Sequence, residues 1–275
     1  MRLAPLLAAL PLVAGCMSFS PPAPGHARYH APPPAAEAHT GYPAAGSVGA
    51  SPSRAEAQTE RPGLGTSWGE TRRSRVRDVP FERATPSPFA VATLFYNDRD
   101  GVDAMVRHDA RAQRPLDTPV TVRGGLTVAV VDENGLPLPS FAIGGRIYVV
   151  GQEGGRYAIQ VSNHTGRRYE AVASVDGLDV VDGTGAAVDK RGYVLDPFGS
   201  LTIDGFRRSR EAVAAFRFGA VADSYAARTA GDRNVGVIGV ALFAERGSEP
   251  WSDDEIERRQ GATPFGDARY AQPPG

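Results

Sequence analysis

The chain has 275 residues and a formal charge of −1, from 30 Lys plus Arg against 31 Asp plus Glu. That balance excludes a polyanion-binding protein as a whole, nucleic acid included, and no apolar run is long enough to cross a bilayer as a helix. A lone cysteine, Cys16, excludes an intrachain disulfide and a cysteine zinc site.

Arg2 precedes an apolar run from Leu3 to Val13, followed by the small residues Ala14 and Gly15. Basic start, apolar middle and small residues at the end are the form of a cleaved secretory signal over residues 1–15. Pro5 and Pro11 would weaken a continuous helix there. The stretch Val13-Ala14-Gly15-Cys16 resembles the lipobox of bacterial lipoproteins. Small side chains let a peptidase reach the backbone, and a lipid donor needs a thiol to alkylate. The resemblance implies that Cys16 becomes the acylated N-terminus of the mature protein, with palmitate-type chains holding it to a membrane. Each buried methylene contributes about 0.8 kcal/mol to such an anchor. Met17, where an aspartate would favour retention in the inner membrane, implies the outer membrane as the destination.

From residue 16 to 88 the chain is rich in Pro, Ala, Gly and Ser and has no apolar period. Such a segment cannot bury enough surface to offset its ordering entropy, so it reads as a disordered tether. As a coil it would span roughly 45 Å, and as polyproline II about 200 Å. Within it, His26, His30 and His39 lack carboxylate or thiol partners for a metal. Arg72, Arg73, Arg75 and Arg77 read as a solvated charge run, with lipid or cell-wall phosphates as the alternative.

Residues 89–247 read as one folded domain. Phe89–Tyr96 is a first strand, followed by a polar stretch to Asp117. Leu126–Val130 alternates and stops at the turn pair Asn134-Gly135. Arg146–Val150 and Tyr157–Val161 flank a glycine-rich loop and read as a hairpin. Tyr169–Val175, Leu178–Val180, Gly192–Leu195, Leu201–Ile203 and Ala212–Phe218 follow as short strands, and Ala222–Arg228 as a helical turn. Asn234–Phe243 is apolar on both faces, which marks a central strand. Eight or nine short strands with turns about every 8–12 residues predict an all-β antiparallel sandwich, jelly-roll-like or a partly open barrel. In residues 248–275, Ser252-Asp-Asp-Glu255 opens a short helix before a frayed tail.

The stretches Tyr157–Asn163, Ser174–Gly183, Gly192–Pro197, Ile203–Arg207, Ser224–Arg228 and Asn234–Val240 resemble a family of uncharacterised bacterial envelope proteins. The resemblance implies the fold and carries no activity.

The sequence holds no Gly-x-Ser-x-Gly, Ser-x-x-Lys or His-Glu-x-x-His arrangement and no phosphate-cradling glycine loop. Asp98, Asp100 and Asp103, around Gly101, have the character of a calcium loop, although the spacing is not that of an EF-hand; a plain acidic loop is the alternative. Asp176, Asp179, Asp182 and Asp204, with Arg207 and Tyr193, would line a binding face if their loops converge. Asp-Gly pairs that merely make tight turns are the alternative. The expectation is a non-enzymatic, lipid-anchored binding or assembly module without a cofactor. Its partners would be the membrane, through the lipid, and an envelope protein or the cell wall. The rivals are an envelope hydrolase using loop carboxylates and a structural subunit of a surface assembly.

Overall fold

The structure, a computed structural model, describes residues 28–30, 61–108, 114–116, 119–248 and 251–263. The signal segment, Cys16, His26 and His39 lie outside these residues.

In chain order the elements are β1 (Arg28–His30), β2 (Leu64–Arg73), β3 (Arg77–Val79), β4 (Ala90–Asn97), α1 (Arg99–His108), β5 (Arg114–Leu116), β6 (Val120–Val122) and β7 (Leu126–Asp132). They continue with β8 (Ser140–Ile143), β9 (Arg146–Val150), β10 (Arg156–Asn163), β11 (Tyr169–Val175), β12 (Leu178–Asp179), β13 (Tyr193–Leu195), β14 (Ser200–Ile203) and β15 (Gly205–Arg207). Last come β16 (Ala212–Ala220), a 3-10 turn (Val221–Asp223), α2 (Tyr225–Thr229), β17 (Val237–Ala244) and α3 (Asp253–Gln260). The expected all-β sandwich is observed. One sheet runs β3-β1-β13-β11-β17-β4-β9-β8-β5, with β12 on β11. The other runs β15-β16-β10-β7-β6, with β14 on β10 and β2 on β16. Pairing is mostly antiparallel, but β4 with β9 and β1 with β3 are parallel.

Both sheets turn one face to a shared core, because alternate residues of a strand point the same way. Leu94, Ala171, Ala173, Val240 and Leu242 from the first sheet meet Val128, Ile159, Val161, Phe206 and Phe216 from the second. β17 is central, as its composition predicts: Ile238, Val240 and Leu242 face this core, and Ala241 and Phe243 pack outward with Val172.

The tether boundary at residue 88 is corrected. Residues 61–88 belong to the domain: β2 pairs along β16 from Leu64↔Ala220 to Arg73↔Ala212, with Leu64, Gly65 and Thr66 buried. β1 lies between β13 and β3. After β2, Arg83 ties its segment to the first sheet. Its Nε donates to Glu170 Oε2 at 2.6 Å, Nη1 to the Val188 carbonyl at 3.0 Å and Nη2 to the Lys190 carbonyl at 2.5 Å. The guanidinium carbon also sits 3.7 Å from the centroid of the Phe243 ring. Glu170 is fully buried, and its second oxygen accepts from Gly192 N at 2.7 Å.

Two other expectations change. The polar stretch after β4 contains the helix α1, which drops Val102 against Ile143 and Tyr148. Arg146–Val150 and Tyr157–Val161 are not a hairpin; β9 pairs with β4 and β8 in one sheet, and β10 with β7, β14 and β16 in the other. The loop between them crosses the sandwich, pinned where Gly151 N donates to the Asn97 carbonyl at 2.8 Å. The capped helix at Ser252 forms, with Ser252 Oγ accepting from Glu255 N at 3.3 Å.

Candidate functional site

A cleft of about 740 Å³ lies at one end of the sandwich where four separated segments meet. Residues 61–64 lead into β2, residues 95–98 end β4 and run on into α1 with Gly101, Ala104 and Met105, Val221 comes from the 3-10 turn, and residues 233–237 lead into β17. Leu64, Phe95, Val221 and Val235 give it an apolar lining; Arg61, Arg233, Asp98 and Asp100 bring both signs of charge.

Asn97 is the pin of this cleft. Its Oδ1 accepts from Leu64 N and from Asp98 N, each at 2.9 Å, joining β2 to the start of α1. Two glycines close around it. A Cβ on Gly63, which has φ +100°, would lie 2.5 Å from Asn97 Oδ1, and one on Gly101 would lie 2.1 Å from Nδ2. Arg61 is held as well, donating to the carbonyls of Asp232 and Val235.

The acidic loop proposed for calcium is corrected by the helix. Asp98 caps α1, its Oδ1 accepting from Gly101 N at 2.7 Å, which meets one of the unpaired amides of the first turn. Asp103 pairs one turn back with Arg99 at 3.4 Å and does not line the cleft. Only Asp98 and Asp100 reach it. Among the described residues no group of three or more His, Cys, Asp or Glu is arranged to hold a metal ion.

Beneath the cleft lies a buried polar chain. Asp176 is 3 % exposed and accepts from Thr66 N at 2.8 Å, from the Tyr96 hydroxyl at 2.5 Å and from Gly236 N at 2.9 Å. Thr66 Oγ1 lies 2.7 Å from the Tyr96 hydroxyl and 2.6 Å from that of Tyr157. Each hydroxyl has one proton. With the carboxylate as terminal acceptor the order is fixed: Tyr157 donates to Thr66, Thr66 to Tyr96, and Tyr96 to Asp176. Burial pushes both tyrosines well above their ordinary value, so both remain protonated donors. Burial also raises the Asp176 carboxyl, outweighing the donors that favour its charged form.

The proposed binding face is not assembled as one open surface. Asp176 (φ 56°) and Gly177 (φ 79°) are the two residues of the turn joining β11 to β12, the positive-φ pair that such hairpins require. Asp179 is 1 % exposed. Its Oδ1 accepts from Val181 N at 2.8 Å and from Asp182 N at 3.0 Å, and its buried Oδ2 accepts no hydrogen bond. Burial raises this carboxyl too. Asp182 is satisfied by Thr184 and by Lys190 Nζ, 2.9 Å from each of its oxygens. Asp204 faces Arg72 at 4.0 Å. Arg207 donates from Nε to the Tyr193 hydroxyl at 3.0 Å and from Nη1 to the Ser74 carbonyl at 2.7 Å. Asp179, Asp204 and Arg207 do lie near Tyr193, so three of the five proposed residues, from two segments, come together there. Their side chains brace the sheet end there, and Asp176 serves the cleft instead.

The cleft residues Arg61, Gly63, Val221 and Arg233 escaped sequence reading. Trp68, a large aromatic in a run otherwise taken as tether, was the available signal that a strand begins near Leu64. His164 is exposed with Nε2 3.1 Å from Thr127 Oγ1, and His108 is exposed in the last turn of α1. Among the described residues no helix is long and apolar enough to cross a membrane. Compared with known proteins, the chain matches no family model, no curated protein and no solved structure.

Proposed function

We propose that this chain is a bacterial envelope lipoprotein, anchored through acylated Cys16, whose β-sandwich is a non-enzymatic binding module with the cleft at Asn97 as its ligand site. The observation that carries the anchor is Val13-Ala14-Gly15-Cys16 behind Arg2 and an apolar run, with the only thiol of the chain at that point. The outer membrane follows from Met17. For the module, support comes from a concave, partly apolar cleft whose polar groups are fixed by a rigid frame. Its mixed charge suits a peptide-like ligand with both signs on an apolar body, such as a segment of an envelope protein.

Binding is favoured over the hydrolase reading by how the carboxylates are spent. Of the two carboxylates that reach the cleft, Asp98 caps a helix, which leaves Asp100 without a second free carboxylate as its acid–base partner; Asp176 accepts three donors and Asp182 holds Lys190 away from the cleft. The test is in the native envelope. A photo-cross-linking residue at Met105, 39 % exposed on the cleft wall, is expected to give one discrete adduct, and the same group at Val188 none. Equal, diffuse labelling from both positions would refute the cleft. Replacing Cys16 by Ser is expected to move the protein out of the membrane fraction; unchanged membrane association would refute the anchor.

A further inference from the structure

We infer that the sandwich has a second interaction surface: a basic end, opposite the cleft, that seats on an anionic phospholipid leaflet. β2 spans the molecule, with Leu64 in the cleft and Arg73 at the other end. At ~3.3 Å per residue these ends lie about 30 Å apart. Past Arg73 the chain runs beside the turn between β15 and β16: Ser74 N donates to the Glu211 carbonyl at 2.8 Å and Val76 N to the Arg210 carbonyl at 2.9 Å. This brings Arg73, Arg75, Arg77, Arg208 and Arg210, all exposed, to one place. Of the carboxylates near them, Asp78 is taken by Arg210, Asp204 faces Arg72, and Glu211 sits in the same turn as Arg210. Arg73, Arg75 and Arg77 carry no ion pair among the described residues. In a chain with a net charge of −1 such a cluster is a local departure.

Lipid, rather than another polyanion, is the occupant because of where the chain leads. Arg28 of β1 pairs with Arg77 of β3, so the segment coming from Cys16 meets the domain at this basic end. Eleven residues lie between Cys16 and Arg28, so the two are at most about 40 Å apart. The inference rests on the acylated Cys16 proposed above. A lipid plus a basic patch is a two-signal anchor, holding the domain with its cleft turned away from the bilayer.

The test uses the full mature chain with Cys16→Ser, so that no acyl chain contributes, and vesicles of phosphatidylcholine with or without phosphatidylglycerol. Binding is expected only to the anionic vesicles and to weaken as salt is raised. At roughly fivefold per arginine near such a surface, Arg73→Glu/Arg75→Glu/Arg77→Glu should lower affinity by more than tenfold. Arg107→Glu/Arg228→Glu, on the helices beside the cleft, should not. A polarity-sensitive dye on Glu211→Cys should shift with anionic vesicles, and one on Met105→Cys should not. Equal binding by the triple variant, a shift at Met105→Cys alone, or binding to dextran sulfate but not to vesicles would overturn the inference. Vesicle binding with unmodified Cys16 in native protein would instead sink the anchor and leave this surface standing. An acylated Cys16 with vesicles ignored would sink the surface alone.

Discussion

Asp176 does two jobs that pull in different directions. As a turn residue it takes a left-handed backbone, which aspartate tolerates better than most side chains. As a buried carboxylate it ends the chain from Tyr157 and joins β2, β4 and the approach to β17. Its raised carboxyl fixes a sign. The native state binds more protons here than the unfolded chain, so this group's contribution to stability falls as pH rises from the ordinary carboxylate value through the raised one. In Asp176→Asn that decline should vanish from urea midpoints measured across the window, and the variant should lose about 1–3 kcal/mol because an amide meets a donor. An unchanged pH profile would refute this role. Glu70 shows the opposite case at the surface. Its hydrogen bond from Arg217, at 2.8 Å, is the main reason its carboxyl falls from 4.5 to about 2. Its contribution is therefore present above the ordinary value and lost as pH drops toward about 2. NMR titration should find that low midpoint, and Arg217→Ala should return it upward. Both side chains are about 40 % exposed, so the stability at stake is below about 1 kcal/mol.

At the scale of elements, the chain from Arg61 to Arg83 decides where the domain starts. Breaking a buried ion pair by removing one partner costs about 3–5 kcal/mol. Arg83→Ala is therefore expected to lose about that much stability in urea unfolding, since Glu170 would be left buried without its partner. A loss below about 1 kcal/mol would mean the segment is only loosely attached. In α1, Gly101→Ala sets two effects against each other. Alanine favours a helix by about 1 kcal/mol, but its Cβ would overlap Asn97, which Leu64 N and Asp98 N hold in place. Overlap should win, giving a net loss and a loosened cleft, readable as faster hydrogen exchange at Leu64 N. β17, the Asp176-Gly177 turn and the Ser252 cap were legible because each rests on local chemistry: two apolar faces, positive φ, and a hydroxyl before a helix. β2 was hidden because Gly65, Ser67, Gly69 and Thr71 look like tether composition, and only pairing with β16 buries its first residues. Alternation in β9 told which residues face a core but not that its partner would be β4, in parallel. The acidic run misled because the same aspartates that suit calcium also cap and pair along a helix. The cleft had no local signature, since it exists only where four distant segments meet.

The whole molecule is a sandwich with two distinct ends: a cleft around Asn97 and an arginine cluster where β1 brings in the chain from Cys16. The distance between them follows from the length of β2, and because the arginine cluster itself seats on the bilayer, lengthening the chain between residues 16 and 28 should leave both the domain's height above the membrane and cleft binding unchanged. Tethering of this arrangement to a membrane rests on the acylated Cys16 proposed above. The most direct measurement is mass spectrometry of the N-terminal peptide of protein extracted from native membranes. An acylated anchor gives a peptide that begins at Cys16 and carries the mass of attached acyl chains. A peptide with a free Cys16 thiol, or one beginning at any other residue, would contradict it.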